Sequence, residues 1–421
     1  MKSLKISLAA GALAIAMASG AHAQTVIRIT GSTAFRSATV TAISNVMDAG
    51  FTMGYVGGSF TGAVACNFSG TVSGTPVLIK TCWTGSEGGI QTVSFGASPL
   101  TVPFLQDGAT TSAAGAGGTG GTSGLADPTV AANPHSDEIP DVAMSDTYQS
   151  SSAFFGLFKG KTYPSLTESP NSPVGVIPFI FVSSKSAPTS GPGTVTNITT
   201  QLAQNLFSSG KVQLSLFTGV STDTSSVLAT GRDPDSGTRL TLLAEVGLGS
   251  TASVKHYQPS DSSGVAITTA GGSIAKAAVW PASTVNTIGI AAFNGGYNSG
   301  GKLANAMTNT STTQSILNAG GQTVGTGGWY ITLLGQSDAG TATGGGAHAL
   351  SYNGVAFTVT DIQEGHYTAW GYEHMYYRSG AVGTTVQTVA DIIANRILQN
   401  DSPVLISSMH VGRSTDGAKV Q

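Results

Sequence analysis

Apolar residues in this chain come in short runs broken by Gly, Ser and Thr, and their spacing changes from run to run. Thr25 to Ile29 has the composition of a buried strand, while Thr33 to Met47 sets Phe35, Ala38, Ala42 and Val46 on one face of a helix. Gly31-Ser32 lies between them. Val174 to Val182 is an almost unbroken apolar run, as in a strand covered on both faces. Thr199 to Phe207 has a helical period and stops at Gly210. Leu240, Leu243 and Val246 mark another helix, opened by Asp235-Ser236-Gly237-Thr238. Trp329 to Leu334 reads as a strand, and Val386, Val389, Ile393 and Ile397 define a late helix that ends before Pro403. Strands alternating with helices predict an α/β protein with mainly parallel sheets and flanking helices. At 421 residues the chain exceeds one ordinary core, so two lobes are expected.

Composition narrows the choice. Only 9% of residues are charged, against roughly a quarter in ordinary soluble domains, and Gly numbers 57. The surface is therefore built from Ser, Thr, Asn, Gln and backbone. With 18 Lys and Arg against 21 Asp and Glu, the chain lacks the basic excess that nucleic-acid phosphates require. Lys2 and Lys5, the apolar stretch Leu8 to Met17 and the A-x-A site Ala21-His22-Ala23 make residues 1–23 a cleavable export leader. No later apolar stretch reaches the ~20 residues of a membrane span. The expected product is exported and soluble, in the periplasm or outside the cell. Residues 108–126 are low-complexity and read as a surface excursion.

Cys66 and Cys82 are the only cysteines and flank the turn signal Ser73-Gly74-Thr75-Pro76. In an oxidising compartment they are expected to form a disulfide that staples a hairpin and contributes about 3 kcal/mol. Two thiols with no nearby His do not fill a zinc site.

Four small-residue turns stand before helices or at strand ends: Gly31 to Phe35, Gly85 to Gly89, Asp235 to Thr238 and Asn298 to Gly301. Singly, each is an ordinary helix cap. Together they supply hydroxyl donors and helix N-termini, which can hold a small anion without chemistry. Arg232, four residues before Ser236, can set a guanidinium beside the same helix start and grip an oxyanion.

In these turns and their order the chain resembles the periplasmic phosphate-binding proteins of phosphate ABC transporters. Ile29-Thr30-Gly31-Ser32-Thr33 is similar to that family's opening strand and Ser/Thr turn, and Gly85 to Gly89 to its G-S-x-G-G turn. Val142 to Asp146 is similar to its strand ending in Ser-Asp, and Arg232 to Thr238 to its R-x-x-x-S-G-T. Leu206 to Lys211 and Tyr297 to Gly301 are weaker echoes. The resemblance implies a two-lobed type II periplasmic binding-protein fold with a hinge between the lobes. The first lobe would be discontinuous, about 24–165 and 352–421, and the second about 166–351. The resemblance further implies that Ser32 and Thr33 donate from the first turn beside the N–H groups of Ala34 and Phe35. Ser86 would donate from the second turn, and Asp146 would accept the proton of hydrogen phosphate. Arg232, Ser236, Gly237 and Thr238 would close over the anion from the other lobe. Such a carboxylate repels fully ionised sulfate yet accepts a bond from a protonated oxyanion. The implied partners are phosphate or a related oxyanion and a membrane permease. No cofactor, metal or catalytic residue is implied, and a monomer is expected.

The chain departs from the family where Pro234 and Asp235 stand in place of its Asp-Gly, which moves the acid beside the arginine to Asp233 or Asp235. Arg36 adds a cation near the first turn, and the stretch from Gly89 to Asp146 is longer. Two simpler readings stay open: Asp146 as a helix N-cap, and Arg232 paired at the surface with Asp233 or Asp235. Glu364, His366, Glu373 and His374 suggest metal or acid–base work. In an extended strand, however, the two histidines would stand about 27 Å apart. Their aromatic setting, with Tyr367, Trp370, Tyr372 and Tyr376, favours a structural strand returning to the first lobe. No nucleophile elbow, P-loop or H-E-x-x-H occurs. An exported phosphatase is therefore the weaker rival, beside a surface or matrix protein of the same fold whose anion site is vestigial.

Overall fold

The computed structural model describes residues 24–95, 100–110, 112–113, 121–191, 193–250, 252–281, 295–311 and 313–421. The leader expected at 1–23 and part of the 108–126 stretch lie outside these residues.

The chain begins with β1 (Thr25–Gly31), which buries Ile27 and Ile29 completely and runs through the first turn into α1 (Arg36–Val46). Three strands follow, β2 (Thr52–Val56), β3 (Ala65–Val72) and β4 (Thr75–Cys82), then α2 (Ser86–Ser94) and β5 (Val142–Ser145). The long apolar run becomes β6 (Gly175–Ser183), buried at every position. Next, α3 (Thr200–Ser209) is capped at its start by the Thr199 hydroxyl and stopped by Gly210, whose φ of 81° favours glycine. The chain continues with β7 (Lys211–Gln213), β8 (Ser226–Ala229), α4 (Gly237–Glu245), α5 (Gly300–Met307), β9 (Trp329–Gly335) and α6 (Gln336–Gly344). The chain then returns along β10 (Trp370–Tyr377) and closes with α7 (Thr385–Arg396).

These strands line up in the order β7-β8-β9-β6-β10-β5-β1-β4-β3-β2. Two strands change partners halfway. β6 pairs with β10 over Gly175–Pro178 and with β9 over Phe179–Ser183. β10 in turn pairs with β6 over Trp370–Glu373 and with β5 over His374–Tyr377. The ribbon of β6 and β10 therefore links two halves, or lobes, of one continuous sheet, β7-β8-β9 and β5-β1-β4-β3-β2. The α/β architecture is as expected, but the sheets are mixed rather than mainly parallel. Parallel pairing is confined within this path to β5-β1-β4 and β8-β9, next to the predicted turns. Elsewhere the pairing is antiparallel, both between distant strands, as where β6 meets β9 and β10, and in hairpins, where Ser73 and Gly74, both at positive φ, turn β3 straight back into β4.

The largest core cluster runs through both lobes, with Ile29 and Phe35 on one side, Phe179 and Trp370 in the ribbon, and Ile331 on the other side. A second cluster, including Leu303, Met307, Tyr330 and Leu334, belongs to the β9 lobe. No helix among the described residues is long and apolar enough to cross a membrane.

The expected disulfide is not formed: Cys66 and Cys82 are both free and buried. Strand register explains it. Ala65 faces Cys82, whereas Cys66 faces Thr81, so the two thiols are one step out of phase and point to opposite sides of the sheet. Cys66 joins the main core, and Cys82 joins a separate cluster with Val102 and Phe104. Burial pushes the Cys66 thiol up to about 12, which keeps it protonated and unreactive.

Candidate functional site

The predicted turns converge where the two lobes meet. In the first turn the Ser32 N–H donates to the Met144 carbonyl (2.8 Å), and the Ser32 hydroxyl accepts from the Phe35 N–H (3.1 Å). Gly31 is required here: its φ is +111°, and a Cβ would lie 2.0 Å from the Met144 oxygen. The second turn is tied to the first by the Gly85 N–H, which donates to the Gly31 carbonyl (2.9 Å). At the end of β5, the Asp146 carboxylate accepts from the Ser86 hydroxyl, and the Asp146 N–H donates to that same hydroxyl oxygen (3.2 Å). The helix-cap reading of Asp146 is set aside, because its carboxylate is engaged by Ser86 and the following 3₁₀ turn starts from Tyr148 without a side-chain cap.

From the other lobe comes Arg232, buried at 3% exposure, which excludes a surface ion pair. Its Nε donates to the Tyr297 carbonyl (2.8 Å) and Nη2 to the Asn298 carbonyl (3.2 Å), while Nη1 crosses to the Thr33 hydroxyl (3.0 Å). Carbonyls, not the displaced acid, thus aim the guanidinium. The Asn298–Gly301 turn contributes these acceptors and a Ser299 cap on α5. Ser236 caps α4 by accepting from the Arg239 N–H (3.4 Å), and Thr238 is buried in its first turn. Gly237 meets the first lobe directly, since a Cβ there would lie 1.6 Å from Asp146 Oδ1 and 2.6 Å from Ser86 Oγ. The Asp235 carbonyl crosses too, accepting from the N–H groups of Glu87 (2.9 Å) and Gly88 (3.4 Å) at the start of α2. Arg36, the extra cation, donates to the Thr33 carbonyl and pairs with Asp338 (3.2 Å).

Of the ten predicted positions, Thr33, Ala34, Ser86, Asp146, Arg232 and Gly237 lie against the opposite half of the sheet, while Ser32 and Phe35 are bonded within the first turn and Ser236 and Thr238 sit at the start of α4. Ala34 and Phe35 also line a cavity of about 550 Å³ with Gln336, Ser337, Asn400 and Asp401.

The site is rich in acids, of which local pattern assigned only Asp146 to the ligand and Asp233 or Asp235 to the arginine. Burial pushes the Asp146 carboxyl up to about 6, although Ser86 and the Arg232 charge pull it down. Glu87, bonded by the Thr147 and Ser152 hydroxyls, is pushed up to about 7, again chiefly by burial. Asp233 and Asp235 are both raised by burial against the pull of Arg232 and Arg239. Glu373, on β10, is fully buried, and the Ser32 hydroxyl and Asp146 lie beside it. Glu87 was visible inside the second turn motif, and Glu373 stood in the C-terminal group that was read as structural; Asp416, whose carboxylate accepts from the Tyr148 N–H (2.9 Å), carried no motif.

Of the tempting residues near the C-terminus, His374 is buried and bonded to Glu168 (3.1 Å), while His366 is exposed and faces Asp361 (3.3 Å). Trp370 and Tyr372 pack edge to face, as do Tyr352 and Tyr367. Among the described residues no group of three or more His, Cys, Asp or Glu is placed to hold a metal ion.

No protein-family model matches the sequence, and no curated protein matches it. Solved structures do. One is a Clostridium perfringens protein described as a phosphate ABC transporter substrate-binding protein, with phosphate bound. It is 11% identical with a TM-score of 0.41, over 91% of this chain and 100% of that one. An ABC-type phosphate transport receptor of Vibrio cholerae is 13% identical with a TM-score of 0.39, over 90% and 99% of the two chains. PstS of Borrelia burgdorferi is 12% identical with a TM-score of 0.34, over 91% and 98%.

Proposed function

We propose that this chain is an exported solute-binding protein that holds a protonated oxyanion, phosphate, between its lobes and presents it to an ABC transporter permease. The observation that carries this reading is the reach of buried Arg232 from one lobe to the Thr33 hydroxyl of the other (3.0 Å). A guanidinium already positioned by two carbonyls needs little reorganisation to receive an anion. The proposed site adds the hydroxyls of Ser32, Thr33, Ser86, Ser236 and Thr238 and the starts of α1 and α4, groups suited to negative charge. Asp146 supplies the acceptor for a proton on the ligand. On this reading the lobes comprise about 24–165 with 352–421, and about 166–351, and the ribbon of β6 and β10 is the hinge between them. Anion binding favours the closed arrangement by bonding to both halves at once.

Calorimetry against phosphate, arsenate, molybdate and sulfate tests it. Phosphate and arsenate should bind and sulfate should not. Arg232→Ala should weaken phosphate binding by about 1.5–3 kcal/mol, roughly ten- to a hundredfold. Failure of the wild type to bind any of the four, or an unchanged affinity in a folded Arg232→Ala protein, overturns the assignment.

A further inference from the structure

Glu373 occupies the changeover point of the crossing ribbon. It is the last residue of β10 to pair with β6, opposite Gly175, before His374 pairs with Ser145 of β5. One step further along that ladder is Asp146, and the Ser32 hydroxyl of the first turn lies on the same side. The side chain has no exposed surface, and neither carboxyl oxygen has a hydrogen-bond partner of good geometry. A buried carboxylate left in that state is costly, whereas a neutral acid offers one O–H and needs one acceptor.

We propose that Glu373 is a specificity-determining residue of the anion site: it stays protonated and donates its O–H to the bound oxyanion beside Ser32. The assignment rests on the proposed oxyanion reading and adds a second acid to it, with a role opposite to that of Asp146. Asp146 accepts the ligand's proton; Glu373 supplies one of its own. The charged groups around it favour this division. Asp146 faces it from the end of β5, and with burial its charge holds Glu373 well above the usual carboxylate range. The first turn offers only the neutral Ser32, and the chain opposite offers Val174 and, in β6, Gly175 and Val176. His374, the next residue on its own strand, is bonded to Glu168. The nearby cation, Arg232, acts on Asp146, and Asp416 adds a further negative charge there. Ionisation of Glu373 would then set a second negative charge against the anion, so binding requires its proton.

The test is phosphate affinity by calorimetry from about pH 5 to about pH 9, on wild type, Glu373→Gln and Glu373→Met, each first shown to melt cooperatively. Wild-type affinity should rise as Asp146 ionises and then fall at higher pH, by up to about tenfold per pH unit, as Glu373 loses its proton. Glu373→Gln keeps a donor that does not titrate. It should bind within about threefold of wild type at neutral pH and lose the high-pH fall. Glu373→Met should bind about tenfold or more weakly throughout. In the infrared, phosphate should shift the carbonyl band of a protonated carboxylic acid in wild type and not in Glu373→Gln. A wild type that binds phosphate while Glu373→Gln keeps its pH profile, or while Glu373→Met binds equally well, overturns this role and leaves the oxyanion reading standing. A wild type that binds no phosphate at any pH overturns both.

Discussion

Gly237 and Asp146 touch across the boundary between the lobes, and that contact defines the site at the scale of single residues. A methyl group at Gly237 would occupy the position of the Asp146 carboxylate, 1.6 Å away. Gly237→Ala should therefore hold the lobes apart and lower phosphate affinity by about tenfold or more, read by calorimetry. Asp146 decides which anion is admitted. Replacing it by Asn exchanges one acceptor oxygen for an NH₂ donor at nearly constant shape. Phosphate can meet the new donor with its own oxygens, whereas sulfate exchanges a repulsive contact for an attractive one. In Asp146→Asn the ratio of phosphate to sulfate affinity should fall, mainly because sulfate binding rises. Competitive binding at neutral pH measures that ratio, and an unchanged ratio would remove Asp146 from the discriminating role. Ser32, Ser86, Asp146 and Arg232 were all legible as parts of short motifs. Glu373 was singled out but read as structural, because its neighbours at the site come from strand register and not from the chain beside it.

Among the elements, register decides the state of the cysteines. The β3–β4 hairpin was readable from its Ser-Gly turn and flanking Thr and Val residues, but the phase of its pairing was not. A slip of one residue turns every side chain to the opposite face. Ala65 opposite Cys82 thus separates thiols that a sequence count alone would join. Thiol titration should find two free cysteines after unfolding without reductant and almost none in the native protein, where both are buried. Absence of free thiols in the unfolded protein would contradict this register. The helices fared better under local reading. Gly210 ends α3, and Ser236 and Ser299 cap α4 and α5, because those signals act within one turn of the chain.

For the whole molecule, the meeting of the lobes gathers carboxyls that only folding places together. Asp146 and Glu87 are raised to about 6 and about 7, chiefly by burial, and Asp233, Asp235 and Glu373 are raised as well. A raised acid binds its proton more tightly in the folded protein than in the unfolded chain. Stability contributed in this way is complete below the unfolded-state value and is lost as pH rises through the folded-state value. The ligand-free protein should therefore lose thermal stability as pH rises from about 4 to about 7, and phosphate should restore part of it at the upper end. Melting temperatures across that range, with and without phosphate, measure both effects. A ligand-free melting temperature that climbs steadily over the same interval would contradict the burial of these acids between the lobes.

The amino-acid sequence by itself determined the alternation of strands and helices, the helix caps and stops, and the small-residue turns with their hydroxyls and arginine. Each of these depends on residues within a few positions of one another. Tertiary structure alone decided the mixed direction of the sheets, the crossing ribbon of β6 and β10, the separation of Cys66 from Cys82, and the approach of Glu373 to Ser32 and Asp146. Those outcomes depend on which strands become neighbours and in which phase, a choice made by packing two faces of a sheet at once. Local spacing along the chain carries no record of that choice.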